Sequence, residues 1–306
     1  MRWHFIGNDA VESPDGQLGV QMATAIAALG QEVYASGLGR GFKLAPRFFG
    51  GSRLTVGCGL GRRGQILLTT RRVESLHGYQ YLVTTDSKTP FLFASWAKYV
   101  PYPVDPVYFH TGDNGSVFDV TRQLHLENRP RLVFGGNYQD GEGLSLLLTT
   151  TRQVIKQQGE LILLNGLRFR NQLAPVVQHL GMVDLVIFAP PLSTAMEAAL
   201  FHSADLYLDP THGGPTSVSL LKALAAGLPA VTWDTLELQE TTGGATLLVD
   251  SDRGEVWPEA IREALQNERL RERMIERGLA IIKPHDSRQV GIQLIESAEK
   301  WGFNDG

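Results

Sequence analysis

The sequence predicts an α/β protein whose parallel sheets are covered by helices. Short apolar runs of strand length alternate with segments of helical period along most of the chain. The 306 residues are enough for two domains, and 43% hydrophobic with 20% charged residues is typical of a globular protein. At residues 209–229 a glycine-rich turn joins a predicted strand directly to an apolar helix, a connection that is common in parallel sheets.

The N-terminal part begins with a strand–helix–strand unit. Gly30 ends the helix of this unit, and the loop after its first strand contains Pro14, Asp15 and Gly16. The predicted elements are a strand at 3–6, a helix at 17–29 and further strands at 32–35, 54–56, 66–69 and 81–84. Residues 99–130 are rich in proline, glycine and aspartate, so they are predicted to link two domains.

The C-terminal part alternates strands and helices more regularly. The predicted elements are strands at 131–134, 161–164, 183–188, 206–208 and 230–233, helices at 144–158, 171–180 and 194–201, a helix after the glycine turn and a helical tail at 258–300. This alternation requires a parallel sheet with helices on both faces. We therefore expect a Rossmann-like domain here.

The glycine turn is the most informative segment for function. It follows the carboxyl end of a predicted parallel strand, where open α/β sheets bind ligands. Gly213 and Gly214 let a ligand approach the backbone, and either Thr216 or Ser217 is predicted to cap the helix. Unpaired N–H groups and the helix dipole favour a phosphate or diphosphate at this point. The alternative is a purely structural turn that binds nothing.

Cysteine and histidine usage limits the possible sites. A single cysteine, Cys58, excludes an internal disulfide and a multi-cysteine metal site. The eight histidines are scattered without metal-ligand spacing, so we expect no metal. No apolar run reaches the roughly 18 to 20 residues that span a bilayer, and the N-terminus lacks a signal-peptide pattern. These features predict a cytoplasmic protein.

Charge is distributed unevenly along the chain. Residues 1–100 carry 11 Lys or Arg against 6 Asp or Glu, whereas residues 101–306 carry 17 against 26. Eight basic residues and no acidic one lie between Arg40 and Arg72. One interpretation is a solvated basic face. The other is a surface for an anionic acceptor, such as a membrane surface that would hold the protein peripherally, a phosphorylated carrier or nucleic acid.

Several segments occur in an order that a known family shares. The segments SADLYLDP, LLKALAAGLPAVTWD and LQETTGGATLLVD, followed by the helical tail, are similar in order and spacing to the GT-B glycosyltransferases of the retaining family four. MRWHFIGN with GQEVYASG resembles the first βαβ unit of that family, and VPYPVDPVYF resembles the segment before its donor domain. The resemblance implies two Rossmann-like domains facing each other across a cleft. It implies a short acceptor-side domain at 1–115, a donor domain at 116–285 and a C-terminal helix at 286–306 that crosses back.

The resemblance also implies roles for particular residues. Phe188 and Ala189 would lie beside the nucleotide base, and the amides from Thr216 to Val218 would meet the diphosphate. THGGPTS also resembles the His-Gly-Gly phosphate loop of another GT-B family, so His212 is a candidate catalytic residue, with a capping role as the alternative. The residues implied to bind the nucleotide sugar are Gly16, Gly136, Asn137, Phe188, Ala189, Gly213, Gly214, Thr216, Ser217, Val218 and Lys222. The nucleotide sugar is the donor substrate, and no separate cofactor is expected.

The donor positions depart from the family pattern. Members usually carry an arginine and a lysine where this chain has Asn137 and Glu142, so the leaving diphosphate needs another source of positive charge. Gly214 and Lys222 replace two glutamates. Arg168 is the expected replacement cation, unless it is a surface arginine. Lys222 either reaches the diphosphate or forms a structural salt bridge with Glu142.

Asp15 is the best-placed carboxylate on the acceptor side. Next to Gly16, it is predicted to contact an acceptor hydroxyl or to act as a base, with a turn-forming Asp-Gly pair as the alternative. Three hypotheses for the whole chain follow. The first is transfer of a sugar from a nucleotide-diphosphate sugar. The second is a GT-B protein that has lost catalysis and serves as a partner of an active transferase, and the third is a nucleotide-sugar epimerase.

Overall fold

The computed structural model describes residues 2–6, 14–36, 54–58, 66–69, 81–84, 97–110, 114–127, 129–155, 159–210, 217–250 and 254–303. The chain divides into two compact units. Unit 1 consists of Met1–Pro106 with Pro284–Gly306, and unit 2 is Val107–Lys283. Each unit contains one six-stranded parallel sheet. The domain boundaries implied by the resemblance stay predictions.

The strands are short and evenly spaced along the chain. They are β1 (Arg2–Ile6), β2 (Glu32–Ser36), β3 (Leu54–Cys58), β4 (Ile66–Thr69), β5 (Tyr81–Thr84), β6 (Ala97–Tyr99), β7 (Arg131–Phe134), β8 (Glu160–Leu163), β9 (Val186–Phe188), β10 (Leu206–Asp209), β11 (Ala230–Trp233) and β12 (Leu247–Val249). Every residue of β7, β8, β10 and β11 is buried, as expected for parallel strands covered on both faces.

The helices alternate with the strands. They are α1 (Pro14–Ala28), α2 (Asn114–Gln123), α3 (Gly141–Ile155), α4 (Arg170–His179), α5 (Thr194–Ser203), α6 (Val218–Ala225), α7 (Leu236–Thr242), α8 (Trp257–Gln266), α9 (Glu268–Ile282) and α10 (Ser287–Lys300). Short polar side chains begin several of them. Ser193, Thr235 and Asn267 each accept a hydrogen bond from the backbone N–H three residues later, which is the geometry of an N-cap.

Unit 1 is built from both ends of the chain. Its strand order is β2-β1-β3-β4-β5-β6, and Trp3 and Phe5 of β1 are fully buried. Helix α10 returns to pack on α1, where a Cβ added at Gly291 would lie 3.0 Å from Leu29 Cδ1 and 3.3 Å from Ala25 Cβ. Glycine at this position therefore allows the two helices to approach closely.

Unit 2 is a doubly wound sheet with the order β12-β11-β10-β7-β8-β9. The chain adds β8 and β9 on one side of β7 and then β10, β11 and β12 on the other side. The strand order therefore reverses between β7 and β10. Loops diverge at the carboxyl ends of two such strands and leave a crevice, which is where doubly wound sheets bind ligands.

Helix α1 begins earlier than the sequence analysis predicts. It starts at Pro14 rather than at residue 17, so Asp15 and Gly16 lie in its first turn and not in the preceding loop. Proline is well suited to the first helical position, because its fixed φ matches the helix and its missing N–H would have no intrahelical partner there. The prediction of Asp15 as a loop carboxylate was wrong in this respect.

The predicted linker at 99–130 contains regular structure. It holds a 3₁₀ turn at Pro106–Phe109 and helix α2, which packs on α5. Tyr108 and Val120 are buried, but the Gly, Asp and Asn residues at 112–115 lie between them, so the helical period is hard to recognise in the sequence. The sequence analysis also missed β6, α7 and β12, each of which is seven residues or shorter.

Helix length and hydropathy also bear on membrane insertion. Within the described ranges, no helix is both long enough and apolar enough to cross a bilayer. The predicted cytoplasmic location stays a prediction.

Candidate functional site at the carboxyl edge of the unit 2 sheet

Two glycines after β7 lie against β10 and α6 at the point where the strand order reverses. A Cβ added at Gly136 would lie 2.7 Å from Asp209 Oδ1 and 2.8 Å from Phe134 Cε2. A Cβ added at Gly135 would lie 2.7 Å from Ser219 Oγ. Only glycine fits at either position without a shift of its neighbours. The backbone after β7 is therefore packed closely against side chains of β7, β10 and α6 at the switch point.

Ser217 is the N-cap of α6, which resolves the choice between Thr216 and Ser217. Its Oγ accepts a hydrogen bond from Leu220 N at 3.1 Å and donates one to Asp209 Oδ2 at 2.8 Å. Leu221 N donates to Ser217 O at 3.2 Å and begins the helical hydrogen bonds. The N–H groups of Val218 and Ser219 precede that first bond and have no intrahelical acceptor. The start of α6 is therefore fixed in position and retains donors for an anion.

Asp209 is a functional candidate that the sequence analysis missed. It ends β10, is only 6% exposed and lies beside both Gly136 and Ser217. A buried carboxylate requires hydrogen-bond donors, and Ser217 is one of them. The sequence signal was an acidic residue at the end of a buried apolar strand, where an apolar residue would be expected. Its negative charge opposes an anion at the same edge of the sheet.

Tyr207 lies two residues before Asp209 on the same face of β10. Its hydroxyl lies 3.3 Å from Ser217 Oγ, and burial together with the charge of Asp209 raises its pKa well above the ordinary value. The phenol therefore stays neutral at physiological pH. It completes a polar group of three side chains beneath the start of α6.

The residues predicted beside the nucleotide base are already part of the sheet. Phe188 is the last residue of the edge strand β9, and Ala189 is fully buried behind it. Ala189 N donates to Leu163 O at 3.0 Å, and Ala189 O accepts from Leu167 N at 3.2 Å. Both backbone groups of Ala189 therefore bond within the protein, and its role beside the base stays a prediction.

Arg168 lies in a 3₁₀ turn after β8, on an aromatic stack. Its guanidinium carbon is 4.9 Å from the centre of the Phe169 ring, and Phe169 stacks on Tyr138 at 4.5 Å. Tyr138 belongs to the loop after β7 and donates to Leu164 O at 2.7 Å. Burial raises the pKa of Tyr138, and the charge of Arg168 opposes that shift. Arg168 is thus an exposed cation next to the loop that holds Gly136 and Asn137.

Asn137 turns the chain from β7 toward α3. Its Oδ1 accepts from Gln139 N at 2.9 Å, and its backbone carbonyl accepts from Asp140 N at 3.3 Å. This is an Asx-turn, in which the side chain replaces a backbone acceptor. The exposed amide nitrogen of Asn137 is neutral, so this position does not supply the positive charge that the family pattern places there.

Lys222 forms an ion pair within unit 2. Its Nζ lies 2.9 Å from Glu197 Oε1 of α5 and 5.3 Å from the centre of the Tyr108 ring. The side chains of Lys222 and Glu197 are 21% and 13% exposed. The predicted salt bridge to Glu142 was therefore wrong, because the side chain of Lys222 turns toward α5 rather than toward the start of α3. A half-buried lysine needs a close carboxylate, and Glu197 provides it.

Several predicted residues fall outside the described part of the chain. These are His212, Gly213, Gly214 and Thr216 of the glycine turn. For Asp15 and Gly16 the backbone is described, in the first turn of α1. Their predicted roles stay predictions.

A metal ion in a protein is usually held by three or more His, Cys, Asp or Glu side chains. Among the described residues, no group of three or more such side chains is placed to hold a metal.

Residues 129–267 match the family model "Glycosyl transferases group 1". The chain is 29% identical over 183 residues to a phosphatidyl-myo-inositol mannosyltransferase of Mycobacterium leprae, covering 57% of this chain and 48% of that protein. It is 28% identical over 206 residues to a D-inositol 3-phosphate glycosyltransferase of Actinosynnema mirum, covering 62% of this chain and 49% of that protein. The chain thus spans about half the length of the curated relatives it matches.

The fold resembles solved structures along nearly the whole chain. HepE of Anabaena, solved in complex with UDP-glucose, superposes with a TM-score of 0.72 at 13% identity, covering 98% of this chain and 100% of that one. The predicted α/β class and the resemblance to GT-B glycosyltransferases are confirmed. The chain therefore has the GT-B fold, and the region that matches the glycosyl transferases group 1 model lies within unit 2.

Proposed function

We propose that the protein transfers a sugar from a nucleotide-diphosphate sugar to an acceptor. The observation that carries this proposal is the switch point between β7 and β10, where Gly136 lies against Asp209 and α6 begins at Ser217. A glycine turn packed beside the N-terminus of an apolar helix suits a diphosphate. The matched domain at 129–267 contains these elements, and the name of the HepE complex supports UDP-glucose as a donor of the right class.

The leaving diphosphate is stabilised mainly by backbone groups in this proposal. The N–H groups of Val218 and Ser219 point out of the first turn of α6, and the helix dipole adds about half a positive charge there. Donors fixed in advance are effective because they need no rearrangement as charge develops on the leaving group. Arg168 adds a cation from the turn after β8, and His212 keeps its predicted role at the diphosphate.

An anionic acceptor is the second part of the proposal. Both curated relatives are named for acceptors that carry an inositol phosphate, and a phosphate on the acceptor suits a basic protein surface. The segment from Arg40 to Arg72 carries eight basic residues, although most of it lies outside the described ranges. Asp15 in the first turn of α1 is proposed as the base for the acceptor hydroxyl.

Calorimetric titration with UDP, GDP, ADP and TDP tests the donor site. We expect one of the four nucleotides to bind, with UDP first, and the matching sugar nucleotide to be hydrolysed slowly without an acceptor. Scrambling of the sugar without release would instead indicate an epimerase. No heat with any nucleotide would contradict the proposal.

A GT-B protein without catalysis is the second candidate function. Two observations favour it: Lys222 is neutralised by Glu197, and the buried Asp209 brings a negative charge to the edge where a diphosphate would bind. Such a protein would bind a nucleotide, or none, and would release no sugar from any conjugate. Measuring sugar release with the nucleotide that binds best distinguishes it from a transferase.

A further inference from the structure

A polar cavity lies at the amino ends of the strands in the unit 2 sheet. Its volume is about 720 Å³, within the range of roughly 300 to 1,000 Å³ that is usual for small-molecule sites. Arg129, Arg262 and Arg271 line it together with Asp205, and Ile155 and Leu265 give it an apolar wall. The lining thus holds three guanidinium groups and one carboxylate, which is an excess of positive charge.

The cavity is separate from the carboxyl edge. Asp205 immediately precedes β10, whereas Asp209 ends it, and Arg129 lies before β7, whereas Gly135 follows it. Four residues of extended strand span roughly 13 Å. A small ligand in this cavity would therefore not touch the residues at the start of α6.

Asp205 neutralises only one of the three arginines. Its carboxylate accepts from Arg129 Nη1 at 2.6 Å and from Arg131 N at 2.8 Å, so both of its oxygens are engaged on the Arg129 side. The guanidinium of Arg129 also donates to Ser203 O at 3.0 Å. Arg129 is thus a structural group that shapes the wall of the cavity.

Arg271 and Arg262 keep positive charge available. Arg271 donates Nη1 to the carbonyls of Asp205 and Ala264 at 3.0 and 3.1 Å, and it has no carboxylate partner within the part of the chain that the structure describes. Arg262 pairs at 3.0 Å with Glu259 on its own helix, whose side chain is 77% exposed. Such a surface pair is weak and readily exchanged for a better anion. Each guanidinium has five N–H donors, so donors remain on both.

We propose that this cavity binds a small phosphomonoester, with its phosphate between Arg262 and Arg271 and its organic part against Ile155 and Leu265. Planar guanidinium groups match phosphate oxygens in two-point hydrogen bonds, and a doubly charged phosphate suits two cations better than a carboxylate does. The apolar wall accounts for an ester rather than inorganic phosphate alone. The proposal is independent of the sugar transfer proposed for the carboxyl edge.

The proposal is tested by titrating the protein with phenyl phosphate and detecting binding by ³¹P NMR. Saturating UDP is present so that the carboxyl edge is occupied. We expect phenyl phosphate to bind more tightly than inorganic phosphate, and Arg262→Gln and Arg271→Gln to weaken it by roughly tenfold each. Arg273→Gln is the matched control, because Arg273 lies on α9 with Arg271, donates to Arg269 O on its own helix and does not line the cavity. It should bind like the unchanged protein.

The outcomes separate the proposal from nonspecific attraction. If the unchanged protein does not bind phenyl phosphate, or if Arg273→Gln weakens binding as much as Arg262→Gln does, the proposal is wrong. Arg271→Gln also removes two bonds to carbonyls and can destabilise the fold, so Arg262→Gln decides the result. Co-sedimentation with vesicles containing phosphatidic acid then shows whether a lipid headgroup or a soluble ester is the ligand.

Discussion

The two edges of the unit 2 sheet offer anions opposite kinds of site. At the carboxyl edge, Gly135 and Gly136 bring the backbone close to β10 and α6, and Ser217 fixes the start of α6, while the nearest buried charge is negative. At the amino edge, arginine side chains supply the charge and the backbone contributes little. In the two proposals, shape therefore governs anion binding at the carboxyl edge and charge governs it at the amino edge. Variants and salt should affect the two edges differently.

The largest effect is expected from Gly136→Ala. The added methyl group would meet Asp209 Oδ1 and the buried Phe134 ring, neither of which can withdraw easily, so the loop after β7 must shift. We expect nucleotide affinity to fall by roughly tenfold or more in calorimetric titration, which corresponds to about 1.4 kcal/mol. Gly141→Ala is the control, because its Cβ would meet nothing within 4 Å. If both variants bind equally well, shape does not set affinity at this edge.

Ser217→Ala tests the start of α6 with a smaller expected effect. Loss of an N-cap costs about 1 kcal/mol of unfolding free energy, and Asp209 also loses a donor. Nucleotide affinity should fall severalfold, because the helix start becomes less well fixed. Ser193→Ala removes the equivalent cap of α5 and should lower stability without changing affinity. Equal affinity losses in the two variants would show that general destabilisation is the cause.

Lys222→Met tests whether Lys222 binds the nucleotide or stabilises the fold. The pair with Glu197 is half-buried, so we expect a loss of about 1 to 3 kcal/mol in chemical unfolding, between the values for surface and buried pairs. Lys222→Met combined with Glu197→Gln should recover most of that stability. Nucleotide affinity should change little in the double variant. A large affinity loss that persists there would instead assign Lys222 to the donor site, as the resemblance implies.

The smallest expected effect is a difference in how salt changes ligand affinity at the two edges. Binding of phenyl phosphate by the arginines of the cavity should weaken several-fold between about 0.05 and 0.5 M NaCl, because the Debye length shortens over that range. Nucleotide binding at the carboxyl edge should weaken less, since fixed N–H groups dominate there. Parallel titrations at the two salt concentrations measure both. Similar salt dependence at the two edges would contradict the distinction.

The sequence predicted the sheet of unit 2 well, because its strands are buried apolar runs of the right length. Strands β7 and β11 have the predicted bounds, and β10 differs by one residue. The order of the strands was not predictable, since pairing between β7 and β10 depends on contacts distant in sequence. The sequence analysis also gave the cap of α6 to within one residue, because Ser and Thr side chains are strong N-cap signals.

The polar contacts of the site were harder to predict. Asp209 follows an apolar run and looked like the first residue of a turn, and only the tertiary structure shows that it is buried against Gly136. The partner of Lys222 was misidentified because Glu197 is 25 residues away on another helix. Arginines 129, 262 and 271 are likewise scattered in the sequence and meet only in the fold. Charge pairing between distant elements leaves no local pattern.

The arrangement of the chain in unit 1 has a consequence for synthesis. Residues 107–283 form unit 2 from one continuous stretch, whereas unit 1 needs α10, in which Gly291 packs on Leu29. On the ribosome, β1 to β6 therefore emerge long before the helix that covers α1. Unit 2 can fold around its own core first, while the strands of unit 1 lack the packing of α10 on α1 until α10 has been synthesised.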